Sequence, residues 1–279
     1  MTAARVLITA ASEEWALIAA RMTTGYAASV IGCDAEAGIE RVLPADLSPD
    51  GRPAVSVLLF GFSRDGLQKA VVNRVAQCIL TCPTTACYNG LPTTDGKTIR
   101  VGGNLRFFGD GWQISKLLEG RRYWRMPVMD GEFLCEDMFG TIKGVAGGNF
   151  LILGQTSELA LSAAMAAVEA IRPIPGVILP FPGGIVRSGS KVGSRYKKLR
   201  ASTNEAYCPT LRGIVKTALP DKVGGVYEIV IDGLDLASVE EAMRRGIRAA
   251  CRPGIERISA GNYGGKLGPH HLHPRRLLM

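Results

Sequence analysis

Histidine is almost absent from this sequence of 279 residues. The three histidines, His270, His271 and His273, all lie within the last ten residues. The rest of the chain therefore cannot supply a Ser-His-Asp or Cys-His pair unless the tail folds back, and it cannot form the H-E-x-x-H helix of a zinc protease. If the chain is an enzyme, its carboxylates, lysines, hydroxyls and backbone amides must do the chemistry.

Long apolar runs and regularly spaced cysteines are also missing. The longest apolar run, from Ala54 to Phe62, contains Ser56 and Gly61 and is much shorter than the roughly 18 residues that cross a bilayer. The seven cysteines are odd in number and form no C-x-x-C pair, which is typical of reduced thiols in a cytosolic protein. The sequence therefore predicts a cytoplasmic protein without a membrane segment.

Aromatic residues make up only 6% of the chain, and basic residues do not interleave with them. Base-stacking platforms are therefore poorly supported, and we expect no nucleic-acid partner despite the net charge of +8.

Acidic residues are missing altogether from Ala170 to Asn204. We name residues 170–204 the basic segment. Its basic residues are Arg172, Arg187, Lys191, Arg195, Lys197, Lys198 and Arg200. Such a segment suits an anionic ligand, and the alternative is an ordinary solvated loop.

Four parts of the chain share one order of aliphatic strand, short polar break and amphipathic helix. Their predicted helices are Glu13–Met22, Gly66–Leu80, Glu158–Ile171 and Ala237–Cys251, with N-caps at Ser12, Ser63, Ser157 and Asp235. Each is followed by another β-rich stretch. The pattern predicts an α+β fold of two ferredoxin-like α/β sandwich lobes in tandem, residues 1–131 and 132–279.

Glycine-rich stretches offer candidate binding loops, because glycine allows close backbone approach to a ligand and amides and hydroxyls donate to anions. In PFPGGIVRSGSKVGS the candidates are Gly183, Gly184, Ser188, Ser190 and Lys191. In GVAGGN and GNYGGKLG they are Gly147, Gly148, Asn149, Asn262 and Lys266. The alternative for the first loop is an ordinary solvated basic loop, and the alternative for each of the other two is a set of turns.

Glu228 is the candidate for acid–base chemistry. It lies within VYEIVID, with Val226 and Val230 on its own face of the predicted strand. A carboxyl among aliphatic side chains has a raised pKa, and a neutral carboxylic acid can donate a proton near pH 7. The alternative is a glutamate on an edge strand with its side chain in water.

Several strings resemble one family, in order and across nearly the whole chain. They are RVLITAA (5–11), AEAGIE (35–40), FFGDG (107–111), GVAGGNF (144–150), PFPGGIVRSGSKVG (180–193), CPTL (208–211), GVYEIVIDG (225–233) and GNYGGKLG (261–268). Together they resemble formylmethanofuran:tetrahydromethanopterin formyltransferase. The family carries a short segment ahead of RVLITA, and this chain begins inside that segment. The ending PHHLHPRRLLM also differs from the family's tail.

The resemblance implies a cytoplasmic enzyme of two ferredoxin-like lobes that assembles as a homotetramer. It implies formyl transfer between the amine of methanofuran and N5 of tetrahydromethanopterin in a ternary complex, with both carriers as substrates and no metal or prosthetic group. Archaeal members serve methanogenesis. Bacterial members oxidise formaldehyde within a formyltransferase/hydrolase complex, and the basic pI of about 9.2 favours that setting.

The resemblance also bears on single residues. The family's strand glutamate, to which acid–base work is ascribed, falls on Glu228, and the polyanionic carriers give the basic segment a use. Two other functions stay open at this point. One is a non-catalytic assembly subunit that binds polyanionic carriers through the basic Gly/Ser-rich loop, and the other is an acyltransferase that acts on different amine carriers.

Overall fold

The computed structural model describes residues 1–29, 32–93, 96–261 and 268–278. The chain divides into two compact units, Met1–Gly144 (unit 1) and Val145–Met279 (unit 2). Both units combine helices with a β-sheet, which confirms the predicted α+β class. The predicted lobe boundary at 131/132 lies in the strand-rich part of unit 1 and stays a prediction.

Unit 1 builds its sheet around strand β1. Its strands are β1 (Thr2–Thr9), β2 (Glu36–Leu43), β3 (Ala54–Gly61), β4 (Ala86–Asn89), β5 (Thr98–Arg100), β6 (Ile114–Leu118), β7 (Arg121–Val128), β8 (Gly131–Glu136) and β9 (Met138–Lys143). Among the described residues they pair in the order β2-β3-β1-β4-β8-β7-β6, while β9 pairs with both β1 and β5. The neighbours β2, β3, β1 and β4 are antiparallel.

The helices of unit 1 cover one face of this sheet. They are α1 (Glu13–Ala27), α2 (Arg64–Arg74) and the short α3 (Gly102–Leu105), and a π-helical turn at Val75–Ile79 continues α2. Alternate strand residues such as Val6, Ile8 and Val57 pack against the helices in one apolar core. Ser12 and Ser63 cap α1 and α2 as predicted, because their hydroxyls accept from backbone N–H groups of the first turn.

Unit 2 has fewer described strands than unit 1, and its elements follow a βαββαβ order. Its elements are β10 (Val145–Gly154), α4 (Ser157–Ile171), β11 (Val177–Ile178), β12 (Gly225–Gly233), α5 (Leu236–Ala250), β13 (Ile255–Ser259) and α6 (Pro274–Leu278). The described strands form an antiparallel sheet in the order β11-β12-β10-β13. Helices α4 and α5 pack on one face, where Val239, Met243 and Ile247 form the predicted buried stripe of α5.

One predicted cap is wrong by a single residue. Asp235 caps α5 as expected, but α4 is capped by Thr156, whose hydroxyl accepts from the backbone N–H of Leu159 at 3.3 Å. Ser157 is instead the first residue of α4. The two adjacent hydroxyl residues carry the same capping chemistry, so the sequence alone does not decide between them.

Candidate active site

The sheet of unit 2 sends alternate side chains of β12 in opposite directions. Ile229 and Ile231 enter the core beneath α4 and α5. Glu228 therefore lies on the other face, on the side of Leu151 and Val226, which pack in a separate apolar cluster. Because β12 lies between β11 and β10, Glu228 is on an internal strand and not on an edge.

The long connection between β11 and β12, residues 179–224, covers that second face. Leu219 and Val223 from the connection pack on Leu151. Val186 pairs with the backbone of Glu228, donating its N–H at 2.8 Å and accepting the Glu228 N–H at 3.0 Å. The Glu228 residue is consequently only 1% exposed, which excludes the solvent-facing alternative.

Three donors hold the Glu228 carboxyl group. Asn149 Nδ2 donates to Oε1 at 2.9 Å, and the Ser190 hydroxyl donates to the same oxygen at 2.6 Å. The backbone N–H of Ser190 donates to Oε2 at 2.7 Å. The carboxyl is thus bound by one residue of β10 and one residue of the covering connection.

Burial and hydrogen bonding act on Glu228 in opposite directions. Burial is the largest influence and raises the pKa, because the charged form loses its hydration. The hydrogen bonds from Ser190 and Asn149 favour the charged form and lower it. Burial outweighs them, so the pKa of Glu228 is higher than the ordinary value of 4.5. The raised pKa predicted from the aliphatic strand is confirmed in direction.

A narrow cleft of about 30 Å³ opens beside this carboxyl, with room for water but not for a carrier molecule. The polar side chains that line it with Glu228 are Arg187, Ser188, Asn204, Tyr207 and Cys208. Sequence reasoning did not select Asn204, Tyr207 or Cys208 as site residues. The signal for Cys208 was its place in the CPTL string, whereas Asn204 and Tyr207 carry no local pattern that marks them.

The other predicted binding residues have contacts of several kinds. Gly147 has a φ of +84° and donates its N–H to Asp232 Oδ1 at 2.9 Å. Gly148 and Gly184 instead allow close packing, since a Cβ would come within 2.8 Å of Val239 Cγ1 and 2.9 Å of Leu179 Cδ1 respectively.

Among the remaining candidates, Gly183 has a φ of +65°, and Ser188 is exposed at the cleft. Lys191 Nζ forms an ion pair with Glu205 Oε2 at 2.5 Å. Asn262 and Lys266 lie outside the described residues. The structure thus brings Asn149, Ser188 and Ser190 together with Glu228, and the ligand contacts of the whole set stay a prediction.

Within residues 1–29, 32–93, 96–261 and 268–278, no three His, Cys, Asp or Glu side chains are grouped so that they could hold a metal ion. In the same ranges, no helix combines the length and the apolar character that a bilayer crossing requires.

Comparison with known protein families gives two adjoining matches. The family described as formylmethanofuran-tetrahydromethanopterin formyltransferase matches residues 1–128, and the family described as its proximal lobe matches residues 131–277. The chain belongs to this formyltransferase family. The resemblance drawn from the eight sequence strings is confirmed.

Relatives agree along the full length. The formylmethanofuran–tetrahydromethanopterin formyltransferase of Methylococcus capsulatus is 57% identical over 282 residues, covering 100% of this chain and 94% of the relative. A solved structure of the formyltransferase/hydrolase complex from Methylorubrum extorquens with methylofuran matches with a TM-score of 0.93 at 53% identity, covering 100% of this chain and 93% of that one. The formyltransferase of Methanosarcina barkeri matches with a TM-score of 0.91 at 49% identity, covering 99% and 94%.

These matches fix the enzyme class. The protein is a formyltransferase, and the formyl-transfer activity predicted from the sequence is confirmed. Membership also places Glu228 and its partners in the part of the chain that matches the proximal lobe.

Proposed function

We propose that this formyltransferase moves a formyl group between N-formylmethanofuran and N5 of tetrahydromethanopterin by direct attack within a ternary complex. Glu228 is the catalytic acid and base of the reaction. The observation that carries this role is the buried Glu228 carboxyl, held by Asn149 and Ser190 beside a narrow, water-sized cleft. The enzyme accelerates the transfer in both directions.

The reaction balances with one carboxyl group. The N5 lone pair attacks the formyl carbon, and the new C–N bond turns the carbonyl oxygen into an oxyanion. As the old C–N bond breaks, neutral Glu228 gives its proton to the methanofuran nitrogen through water in the narrow cleft, and the resulting carboxylate takes the proton that N5 loses by the same route. The products are the free methanofuran amine, the N5-formyl pterin and Glu228 in its starting state.

Oε2 is the oxygen best suited to carry the exchanging proton. Oε1 accepts from both Asn149 and Ser190, so a proton there would displace one of those donors. Among the described residues, Oε2 accepts only the backbone N–H of Ser190, which leaves its second lone pair for a proton. Glu228 lines the cleft, from which the proton can exchange.

Direct attack by N5 requires no protein nucleophile. This agrees with a chain whose histidines are confined to the last ten residues. The protein's contribution is to hold two carriers in reacting geometry and to supply donors to the developing oxyanion, each donor being worth about 10²–10³ in rate. The two carriers are proposed as substrates, and no prosthetic group is proposed.

The basic Gly/Ser-rich loop is proposed to bind the anionic carriers. Ser188 and Arg187 lie at the cleft with exposed side chains, and Gly183 is exposed nearby along the chain. Lys191 Nζ is paired with Glu205, which competes with a carrier for its N–H donors. The relative from Methylorubrum extorquens was solved in complex with methylofuran, which supports a furan carrier for this chain as well.

Architecture and assembly form a further part of the proposal. The strand orders β11-β12-β10-β13 and β2-β3-β1-β4, each with βαββαβ succession, support two ferredoxin-like lobes. A homotetramer, or membership of a formyltransferase/hydrolase complex with other subunits, is proposed from the family. The bacterial formaldehyde-oxidising setting and the cytoplasmic location stay predictions.

Purified protein tests the function directly. Incubated with formylmethanofuran and tetrahydromethanopterin, the native chain is expected to form the formyl pterin, followed by absorbance. Glu228→Gln is expected to lower kcat by about 10²–10⁴, since Gln cannot exchange a proton. The control Glu158→Gln changes an exposed glutamate on α4 and is expected to keep native rates.

The contrary outcomes are distinct. An unchanged kcat/KM for Glu228→Gln would remove Glu228 from the mechanism but leave the activity in place. Folded native protein that produces no formyl pterin would favour the non-catalytic assembly subunit.

A further inference from the structure

Asn149 is held at both ends of its side-chain amide. Its Oδ1 accepts the backbone N–H of Gly261 at 3.0 Å, and its Nδ2 donates to Glu228 Oε1 at 2.9 Å. A backbone N–H can only donate, so the oxygen of the amide must face Gly261 and the nitrogen must face Glu228. The amide cannot flip without losing both bonds.

This fixed orientation sets what Asn149 can do. Nδ2 carries only donors, so Asn149 stabilises an Oε1 that accepts and opposes a proton on that oxygen. The residue is buried, with 8% exposure, and its two ends are engaged by β12 and by the chain just after β13. It is therefore poorly placed to meet a carrier, which was its role in the sequence prediction.

We propose that Asn149 is a positioning residue, which uses an amide locked by Gly261 to orient the Glu228 carboxyl and to set how readily it takes a proton. This inference rests on the proposed function only for its kinetic consequence. The contacts that carry it involve no carrier.

The other groups near Glu228 are accounted for. The covering connection contributes Arg187, Tyr207 and Cys208 to the cleft. The described charged group further along β12 is Asp232, which accepts from the N–H of Gly147. Between Asn149 and Leu153, β10 has no charged residue. Asn149 and Ser190 are the residues that hydrogen-bond the Glu228 carboxyl within the described ranges.

The first measurement needs no substrate. Protein labelled with ¹³C at the glutamate carboxyl is titrated by NMR, and the Glu228 resonance is identified by its loss in Glu228→Gln. Asn149→Asp replaces a donor with a carboxylate facing Oε1 and is expected to raise the Glu228 midpoint by about one to three pH units. That corresponds to at least about tenfold tighter proton binding.

A second variant guards against failure to fold. Asn149→Ala removes one donor, leaves those of Ser190, and is expected to raise the midpoint by less than Asn149→Asp does. The matched control is Asn73→Asp, the same chemical change at an exposed position of α2, which is expected to leave the midpoint unchanged. Thermal unfolding establishes that each variant is folded.

Kinetics then separate positioning from binding. The limb of the kcat/KM profile that reports Glu228 is expected to move to higher pH with the NMR midpoint. Folded Asn149 variants with an unchanged midpoint would overturn the proposal, and a raised KM for one carrier at an unchanged midpoint would identify Asn149 as a carrier contact. A shifted midpoint in a protein without turnover would uphold Asn149 and overturn the proposed function instead.

Discussion

At the scale of the residue, two opposing influences act on the pKa of the Glu228 carboxyl group. Burial favours the neutral form, and the donors from Ser190 and Asn149 favour the ionised form. The net result is a raised pKa, so the folded protein binds this proton more tightly than the unfolded chain does. A raised pKa in the folded state is also a statement about stability.

The stabilising contribution of Glu228 is expected to depend on pH. It is fully present below the unfolded value near 4.5 and is lost as the pH rises through the higher folded pKa. The free energy of unfolding of the native chain, relative to Glu228→Gln, should therefore fall across that window by about 1.4 kcal/mol per unit of pKa difference. Urea denaturation at a series of pH values measures this.

Glu158 supplies the opposite sign for comparison. The hydroxyl of Thr156 lowers the pKa of this exposed carboxyl, so its contribution is present above the unfolded value and lost as the pH falls. A difference between native protein and Glu228→Gln that is constant with pH would contradict the expectation for Glu228.

The sequence identified Glu228 but not the geometry around it. Its aliphatic neighbours on one strand are a local signal, visible in VYEIVID. The contacts that define its chemistry are not local, because Asn149 and Ser190 are brought to it by sheet pairing and by the fold of a long connection. The sequence predicted Ser190 as a ligand contact, whereas in the structure its backbone N–H and its hydroxyl both donate to the Glu228 carboxyl group.

At the scale of the element, the predicted strand–helix pairs were confirmed because they rest on periodicity and capping, which are local. The order in which strands pair was less accessible. Within unit 1, for example, β5 pairs with β9. Both strands lie between Thr98 and Lys143, a part of the chain for which the sequence predicted no individual helix or strand. Helix–helix approach is likewise a tertiary property, and one glycine of α5 illustrates it.

Gly246→Ala is expected to destabilise the protein although alanine favours helix. A Cβ at this position of α5 would lie 2.7 Å from Ile171 Cδ1 and 2.8 Å from Phe150 Cζ, in the tightly packed core under α4. Overpacking of this kind costs about 1–3 kcal/mol, against roughly 1 kcal/mol of helix propensity gained, so the net effect is destabilising over nearly all of that range. Chemical denaturation gives the difference.

The matched change is Gly25→Ala in α1. Gly25 is exposed, and none of the described residues comes within 4 Å of the added Cβ. Here the propensity gain is unopposed, so we expect stabilisation by about 0.5–1 kcal/mol. Equal effects at both positions would show that packing against Ile171 and Phe150 does not decide the outcome.

At the scale of the whole molecule, the net charge of +8 is unevenly distributed. The basic segment carries seven of the basic residues, of which Arg195, Lys197, Lys198 and Arg200 are exposed. The absence of acidic residues from 170 to 204 was visible in the sequence. The position of its Arg187 at the cleft beside Glu228 was not visible, because Arg187 reaches that cleft only through the fold of the β11–β12 connection.

Removing part of this charge is expected to weaken carrier binding without changing chemistry. The double variant Lys197→Gln/Lys198→Gln should raise the KM of a polyanionic carrier roughly two- to tenfold and flatten its dependence on salt, with kcat unchanged. Steady-state kinetics at several salt concentrations test this. The control Arg64→Gln/Lys69→Gln removes the same charge from exposed positions of α2, and an equal effect there would assign the change to net charge alone.

Both units contain a βαββαβ succession, but the connections between its second and third strands differ greatly in length. The link from β2 to β3 is residues 44–53, whereas the equivalent link from β11 to β12 is residues 179–224. Loop closure grows only slowly in free-energy cost with length, so the sheet tolerates the longer link at little expense. Evolution or an engineer can thus replace this one connection to change what covers the Glu228 face, while the strands that hold the residue stay the same.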